Sequence, residues 1–456
     1  IYLRGVKKSI DIFREENIPL FTKMEAKQQE YGSISAKMSI EVDGKKLTMQ
    51  KASQLLKDTN REKREKIFNK ISERRLEDRD ILDTLYDELI SLRQQIARNA
   101  GFENYRDYMF SALGRFDYTA TDCYSFHDAI QEEIVPIVTS FEKERKDKLG
   151  FSNYKAWDTS VDVDGKDALK PFKGGDVLTD RSIECFRKLR PYFGECLATM
   201  KEMEHLDLES KDGKAPGGFM YPLYEIGVPF IYMNAVGSQR DVVTMVHEGG
   251  HAVHSFLSRD LELTEFKSTP SEVAELASMS MELLSMKNWD VFYDNKEELK
   301  RAKQEQLEKV LEGLPWIAAI DKFQHWIYTT DHTAEERREQ WLEISSQFGN
   351  QIIDWSGQEE SLANQWQKQL HLYEVPFYYI EYGMAQLGAI AMWREYILKG
   401  EDALDNYMEA LKLGYTKSIS EIYETAGIKF DFSVEYVKEL ADFIKTQLSK
   451  IDNKSS

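Results

Sequence analysis

Cysteine and proline are scarce in this chain, at 3 and 10 of 456 residues, and long apolar runs are missing altogether. Cys123, Cys185 and Cys196 are too few and too irregularly spaced for a disulfide framework or a CxxC site, so they read as small buried apolar residues in a reducing compartment. Uninterrupted apolar stretches such as GAIAMW at 388–393 fall far short of the roughly 18 residues a membrane span requires. Positive charge is short as well: 60 Lys and Arg against 79 Asp and Glu give a net charge of −19. No basic cluster is interleaved with aromatics, which argues against nucleic acid and membrane partners. The start, IYLRGVKKSIDIF, breaks any signal-peptide apolar block with Arg4, Lys7, Lys8 and Asp11, so the expected location is cytoplasmic.

What is present is enough apolar material for a large core: 42% of residues are hydrophobic and 12% aromatic, in a length that suggests two or three domains. The chain is mainly α. Ile67 and Ile71, then Leu82, Leu85, Leu89, Leu92 and Ile96, recur at three and four residues, and Gly101 follows as a stop signal. Similar patterns cover roughly 121–149, 181–204, 291–312, 333–352, 358–371, 383–398, 402–413 and 433–450. No period of 20 to 50 residues repeats, which excludes a solenoid. Only 206–234, rich in Gly, Pro and aromatics, reads as a small β-sheet, with Pro229–Asn234 as one strand.

After that sheet comes DVVTMVHEGGHAVHSF, a predicted helix capped by Ser238 or Asp241. His247 and His251 lie one turn apart on it, so their imidazoles converge on one ion. Two imidazoles and a carboxylate suit zinc, with the fourth position left to water; Glu248, beside His247, is placed to serve as general base. The third ligand is open among Glu262, Glu265, Glu272, Glu275 and Glu282. Position 257 is Leu, so the metzincin pattern with a third histidine is excluded. A second helix, opened by Pro270 and Ser271, is the preferred source, because Glu275, Met279 and Glu282 share a stripe flanked by Ala and Met. His325 and His332 read as ordinary surface or core residues.

HEGGHAVH followed by VAELASMSMELL resembles the thimet oligopeptidase and oligoendopeptidase F family of zinc metallopeptidases. WD at 157–158, GGF at 217–219, PFIYMN at 229–234 and HLYEVPFYYIEYGMAQLGA at 371–389 extend the likeness over most of the chain. The resemblance implies Glu275 as third zinc ligand, with one ion per chain, and Glu282 as a partner holding a ligand imidazole. It also implies that His371, Tyr379 and Tyr382 stabilise the oxyanion formed when water attacks a peptide carbonyl. Gly217, Gly218 and Phe219 are the expected substrate-binding residues, where an extended peptide adds to a strand edge. Two helical lobes flanking a deep channel are expected, an N-terminal lobe over 1–150 and a zinc-binding catalytic lobe over 151–456. The implied function is a zinc-dependent endopeptidase acting on short unfolded peptides. The alternatives are a zinc carboxypeptidase of related helical fold, or a peptide-binding homologue without catalysis.

The two glycines between the histidines each cost about 1 kcal/mol relative to alanine in a helix interior. Their expected role is to let the helix carrying Glu275, or the preceding strand, come close.

Overall fold

The computed structural model describes residues 1–211, 214 and 217–453, and most of them are helical. Residues 212–213 and 215–216 of the expected sheet region lie outside the described residues. The chain forms two compact units: one from Ile1–Arg4, Ala168–Val310 and Glu381–Ser456, the other from Gly5–Asp167 and Leu311–Ile380. This differs from a single cut near residue 150, because 311–380 pack with the N-terminal helices.

The cause lies in buried polar contacts between distant segments. Arg93, on the helix Arg79–Asn99, is fully buried; it donates to the Tyr328 hydroxyl at 2.8 Å, the Leu372 carbonyl at 3.0 Å and the Tyr373 carbonyl. Gln367 donates to Asp83 at 3.0 Å. No local pattern announces such partners. The same unit explains the Trp157–Asp158 pair: the Asp158 carboxylate, fully buried, accepts from Arg61 at 2.7 Å and Arg64 at 2.8 Å. Burial opposes its ionisation, but Arg61, Arg64 and a backbone amide hold its pKa below the usual carboxylate value.

A second sheet corrects the expectation of only one. Ser39–Val42 and Lys45–Thr48 form an antiparallel hairpin, turned by Asp43 and Gly44 with φ of 51° and 72°. Two left-handed central residues suit a two-residue turn, and Asp-Gly is its usual sequence. Only Ile40 of these strands is buried, so the alternation that marks a strand is faint.

In the other unit the expected sheet is present with three strands. Phe230–Ala235 is central, parallel to Leu206–Glu209 and antiparallel to Phe219–Tyr221. Its end feeds the histidine helix, Gln239–Ser258. Ser238 and Asp241 cap that helix together: Asp241 accepts from the Ser238 amide at 2.8 Å, while the Ser238 hydroxyl accepts from the Asp241 amide at 3.3 Å.

The glutamate helix, Ser271–Ser285, packs directly against it. A Cβ on Gly250 would sit 2.7 Å from Ser278 Cα and 2.9 Å from the Ala277 carbonyl oxygen, both backbone atoms of that helix. On Gly249 it would instead meet the Phe186 ring at 2.7 Å. Gly250 therefore sets the distance between the two helices, and Gly249 makes room for a core aromatic on Gly175–Leu189. The Tyr407 hydroxyl donates to the same Ala277 carbonyl at 2.7 Å, which holds the glutamate helix at this close approach. Gly250→Ala is expected to lose about 1–3 kcal/mol and weaken metal binding, because backbone cannot yield as a ring can. Gly249→Ala should lose less. Urea denaturation of both variants checks the order.

Candidate active site

His247 and His251 project from one turn of the histidine helix, with ring centroids 4.9 Å apart and planes at 85°. From the glutamate helix, Glu275 Oε2 approaches to 3.3 Å of His247 Nε2 and 3.7 Å of His251 Nε2. The ligand atoms of all three residues lie within 4.8 Å of one another. Bonds of about 2.0–2.1 Å in a tetrahedron place neighbouring donors about 3.4 Å apart, so this set fits a zinc-sized ion.

The charges around the set favour a cation. Burial alone would depress the His247 imidazole, yet hydrogen bonds to Glu275 and Glu282 outweigh it and raise its pKa to about 10. Burial and the charge of its neighbour drive His251 the other way, to about 3, which leaves its lone pair available. Glu282, seven residues beyond Glu275, meets His247 Nδ1 at 2.7 Å and so directs Nε2 at the ion position. Its second oxygen accepts from Gln306 at 2.7 Å, and Ser278 donates to Glu275 at 3.0 Å. Neither Gln306 nor Ser278 is distinguishable in the sequence from other polar residues on helices.

Glu248 is buried, and burial first, with Glu275 adding to it against His247, raises its pKa to about 7. Its carboxylate accepts from the Met220 amide in the strand Phe219–Tyr221, which ties the general-base candidate to the sheet. That strand lies at the end of the sheet order, with Phe219 49% and Tyr221 59% exposed. Gly217 has φ of 115°, and a Cβ on Gly218 would press on Thr244 of the histidine helix at 3.2 Å. Of the three expected substrate-binding residues, Gly218 thus lies against the histidine helix. The remaining carboxylates considered, Glu262, Glu265 and Glu272, are not among the grouped ligands.

His371 and Tyr379 belong to the unit Gly5–Asp167 and Leu311–Ile380, and their rings are 4.6 Å apart. Tyr382 belongs to the unit that carries the histidine and glutamate helices. A feature not foreseen from sequence orients His371. Trp316 Nε1 donates to Gln369 Oε1 at 2.8 Å, which turns the amide nitrogen of Gln369 toward His371 Nδ1 at 2.7 Å. Nδ1 is then the acceptor and Nε2 carries the proton. Burial lowers the His371 pKa and favours this neutral form. Between His371 and Tyr379, Phe377 takes a left-handed backbone at φ of 67°, rare for an aromatic residue. Gln324 accepts from its amide at 2.6 Å, and Arg115 donates to its carbonyl.

A histidine pair one helical turn apart, with a glutamate brought beside it by a second helix, makes a candidate metal centre of HExxH type within a helical fold. Residues 54–442 match the model of Peptidase family M3, and the chain belongs to that family. It is similar to an oligoendopeptidase F homolog of Lactococcus lactis subsp. lactis, 21% identical over 72% of this chain and 54% of the relative. It is also similar to oligopeptidase PepF of Bacillus subtilis, 26% identical over 53% of this chain and 36% of that one. The chain thus spans about half the length, or less, of these relatives. Among solved structures, Pz peptidase A with an inhibitor superposes with a TM-score of 0.90 at 26% identity, covering 98% of this chain and 80% of that one.

Replacing Glu282 by Gln should leave the fold intact but weaken zinc binding by about 10–100-fold. Competition with a calibrated chelator measures it, and unchanged affinity would remove Glu282 from the support of His247.

Proposed function

We propose that this chain is a zinc-dependent endopeptidase that hydrolyses short unfolded peptides, with one catalytic ion held by His247, His251 and Glu275. The observation that carries this reading is the position of one Glu275 oxygen, 3.3 and 3.7 Å from the two imidazole nitrogens. Zinc, when bound there, supplies Lewis-acid activation of a water and polarisation of the scissile carbonyl.

The chain's own groups do the rest. Glu248 takes the proton of the attacking water and delivers it to the departing amine, so that the bond breaks without releasing an amide anion. The Nε2–H of His371 and the phenols of Tyr379 and Tyr382 donate to the oxyanion that develops on the carbonyl oxygen. The hydrogen-bonded chain from Trp316 through Gln369 keeps that proton on Nε2. Substrate lies along the strand Phe219–Tyr221 and adds to the sheet through its backbone, with Gly217 and Gly218 allowing close approach and Phe219 offering an exposed face. Such pairing needs an extended chain, which short or unfolded peptides present and folded proteins do not. We place the protein in the cytoplasm, where its three unbridged, buried cysteines remain reduced. No helix among the described residues is long and apolar enough to cross a membrane.

Glu248→Gln should bind zinc as the wild type does while kcat falls by about 100-fold or more; a quenched peptide, assayed with and without chelator, reads both effects. Product masses from a ladder of end-blocked peptides should show internal cleavage, and wild-type rates in the variant would refute the assignment of the base. Gln369→Ala lets the His371 ring take either tautomer, so kcat should drop by about 10-fold with KM little changed. Equal kcat in the two proteins would exclude this tautomer from the mechanism.

A further inference from the structure

A second group of ligand-type side chains lies in the unit formed by Gly5–Asp167 and Leu311–Ile380. The helix Ala120–Ala129 carries Cys123 and His127, and the helix Lys296–Thr329 carries Asp321 and His325. Each pair is spaced by four residues, so each helix turns two of these groups to one face. All four are buried, at 0% exposure for Cys123 and Asp321, 1% for His127 and 4% for His325. The ligand atoms of Cys123, Asp321 and His325 lie within 4.8 Å of one another. Asp321 Oδ2 is 2.8 Å from His127 Nε2 and 3.2 Å from His325 Nε2.

The hydrogen bonds of this cluster do not close. His127 satisfies Oδ2 of Asp321, and His325 Nε2 faces that same oxygen at 3.2 Å, but Asp321 Oδ1 and His325 Nδ1 have no hydrogen-bond partner. The rings of Phe110 and Phe377, 5.9 and 5.4 Å from that of His325, offer it no polar atom. Buried groups of this kind are costly unless something binds them. The nearby Lys322 ammonium is turned toward Gln347, 2.7 Å away.

We propose that Cys123, Asp321 and His325 hold a second divalent transition-metal ion of the zinc class, with His127 hydrogen-bonded to the carboxylate as its orienting partner. A sulfur, an imidazole nitrogen and a carboxylate oxygen suit zinc and disfavour calcium or magnesium, which take oxygen ligands. The ion fastens the helix Ala120–Ala129 to Lys296–Thr329 behind Phe377, the strained residue two positions before Tyr379. Because the site is buried, the ion enters as the chain folds. This assignment does not rest on the reading of the His247 centre.

Cobalt(II) tests it, because a sulfur-to-cobalt charge-transfer band in the near ultraviolet arises only where a cysteine ligates, and the His247, His251 and Glu275 centre contains no sulfur. Full-length protein refolded with cobalt(II) should take up two ions per chain and show the band. A His247→Ala/His251→Ala variant should keep one ion and the band; Cys123→Ser should lose the band and one ion. Uptake of a single ion by the wild type without the band overturns the proposal, and so does a band that survives Cys123→Ser. The wild-type measurement decides even if a variant folds poorly.

Discussion

The close approach of two helices at Gly250 is the constraint on which the proposed metal centre depends. Two imidazoles one turn apart are easily obtained on any helix, but the third donor has to come from a different element and arrive within a few tenths of an ångström. Here backbone meets backbone: Ser278 Cα and the Ala277 carbonyl occupy the space a side chain at position 250 would fill. Only that proximity lets Glu275, three residues before Ser278, reach both histidines. The helix-propensity loss at the two glycines, about 1 kcal/mol each, is small beside the free energy of binding a zinc ion, about 10 kcal/mol or more in structural sites.

Proton position is managed by the same device at two histidines, one in each unit. Glu282 engages Nδ1 of His247, so Nε2 faces Glu275; Gln369 engages Nδ1 of His371, so Nε2 carries the hydrogen. In each case the orienting group is itself held, Glu282 by Gln306 and Gln369 by Trp316. The difference in partner sets the difference in role. A carboxylate raises the basicity of His247 toward an ion, whereas a neutral amide leaves His371 uncharged and able to donate.

Much of this centre was legible because its residues are local. HEGGH, the Ser238 and Asp241 cap, the strand now seen as Phe230–Ala235 and the helix opened after Pro270 all declare themselves within a few residues. Glu275 and Glu282 stood out from Glu262, Glu265 and Glu272 as acids on an apolar stripe, and the family resemblance then gave each of the two its separate expected role. What stayed hidden depends on contacts between remote segments. Arg93 finds Tyr373 across 280 residues, and His127 finds Asp321 across 194. Nothing near either residue signals the partner, so neither the packing of 311–380 with the N-terminal helices nor the polar company of the buried His325 can be read from local pattern. The hairpin at Asp43 and Gly44 was different: its turn signal was local, but strands with one buried residue show too little alternation to be noticed.

The strained loop between His371 and Tyr379 links these observations. A left-handed aromatic residue costs on the order of 1–3 kcal/mol, and it persists only where its surroundings determine it. Phe377 is fully buried; its amide is bound by Gln324, its carbonyl by Arg115, and its ring lies against His325 and Tyr328. Two of those residues, Gln324 and His325, are neighbours on the long helix Lys296–Thr329 and lie one turn or less beyond Asp321. Any force that fixes Asp321 and His325 to the helix of Cys123 and His127 therefore fixes the support of Phe377, and with it the direction in which Tyr379 leaves the turn. A cluster with no part in the proposed bond cleavage would thus act on it by holding in place Tyr379, one of the proposed oxyanion donors.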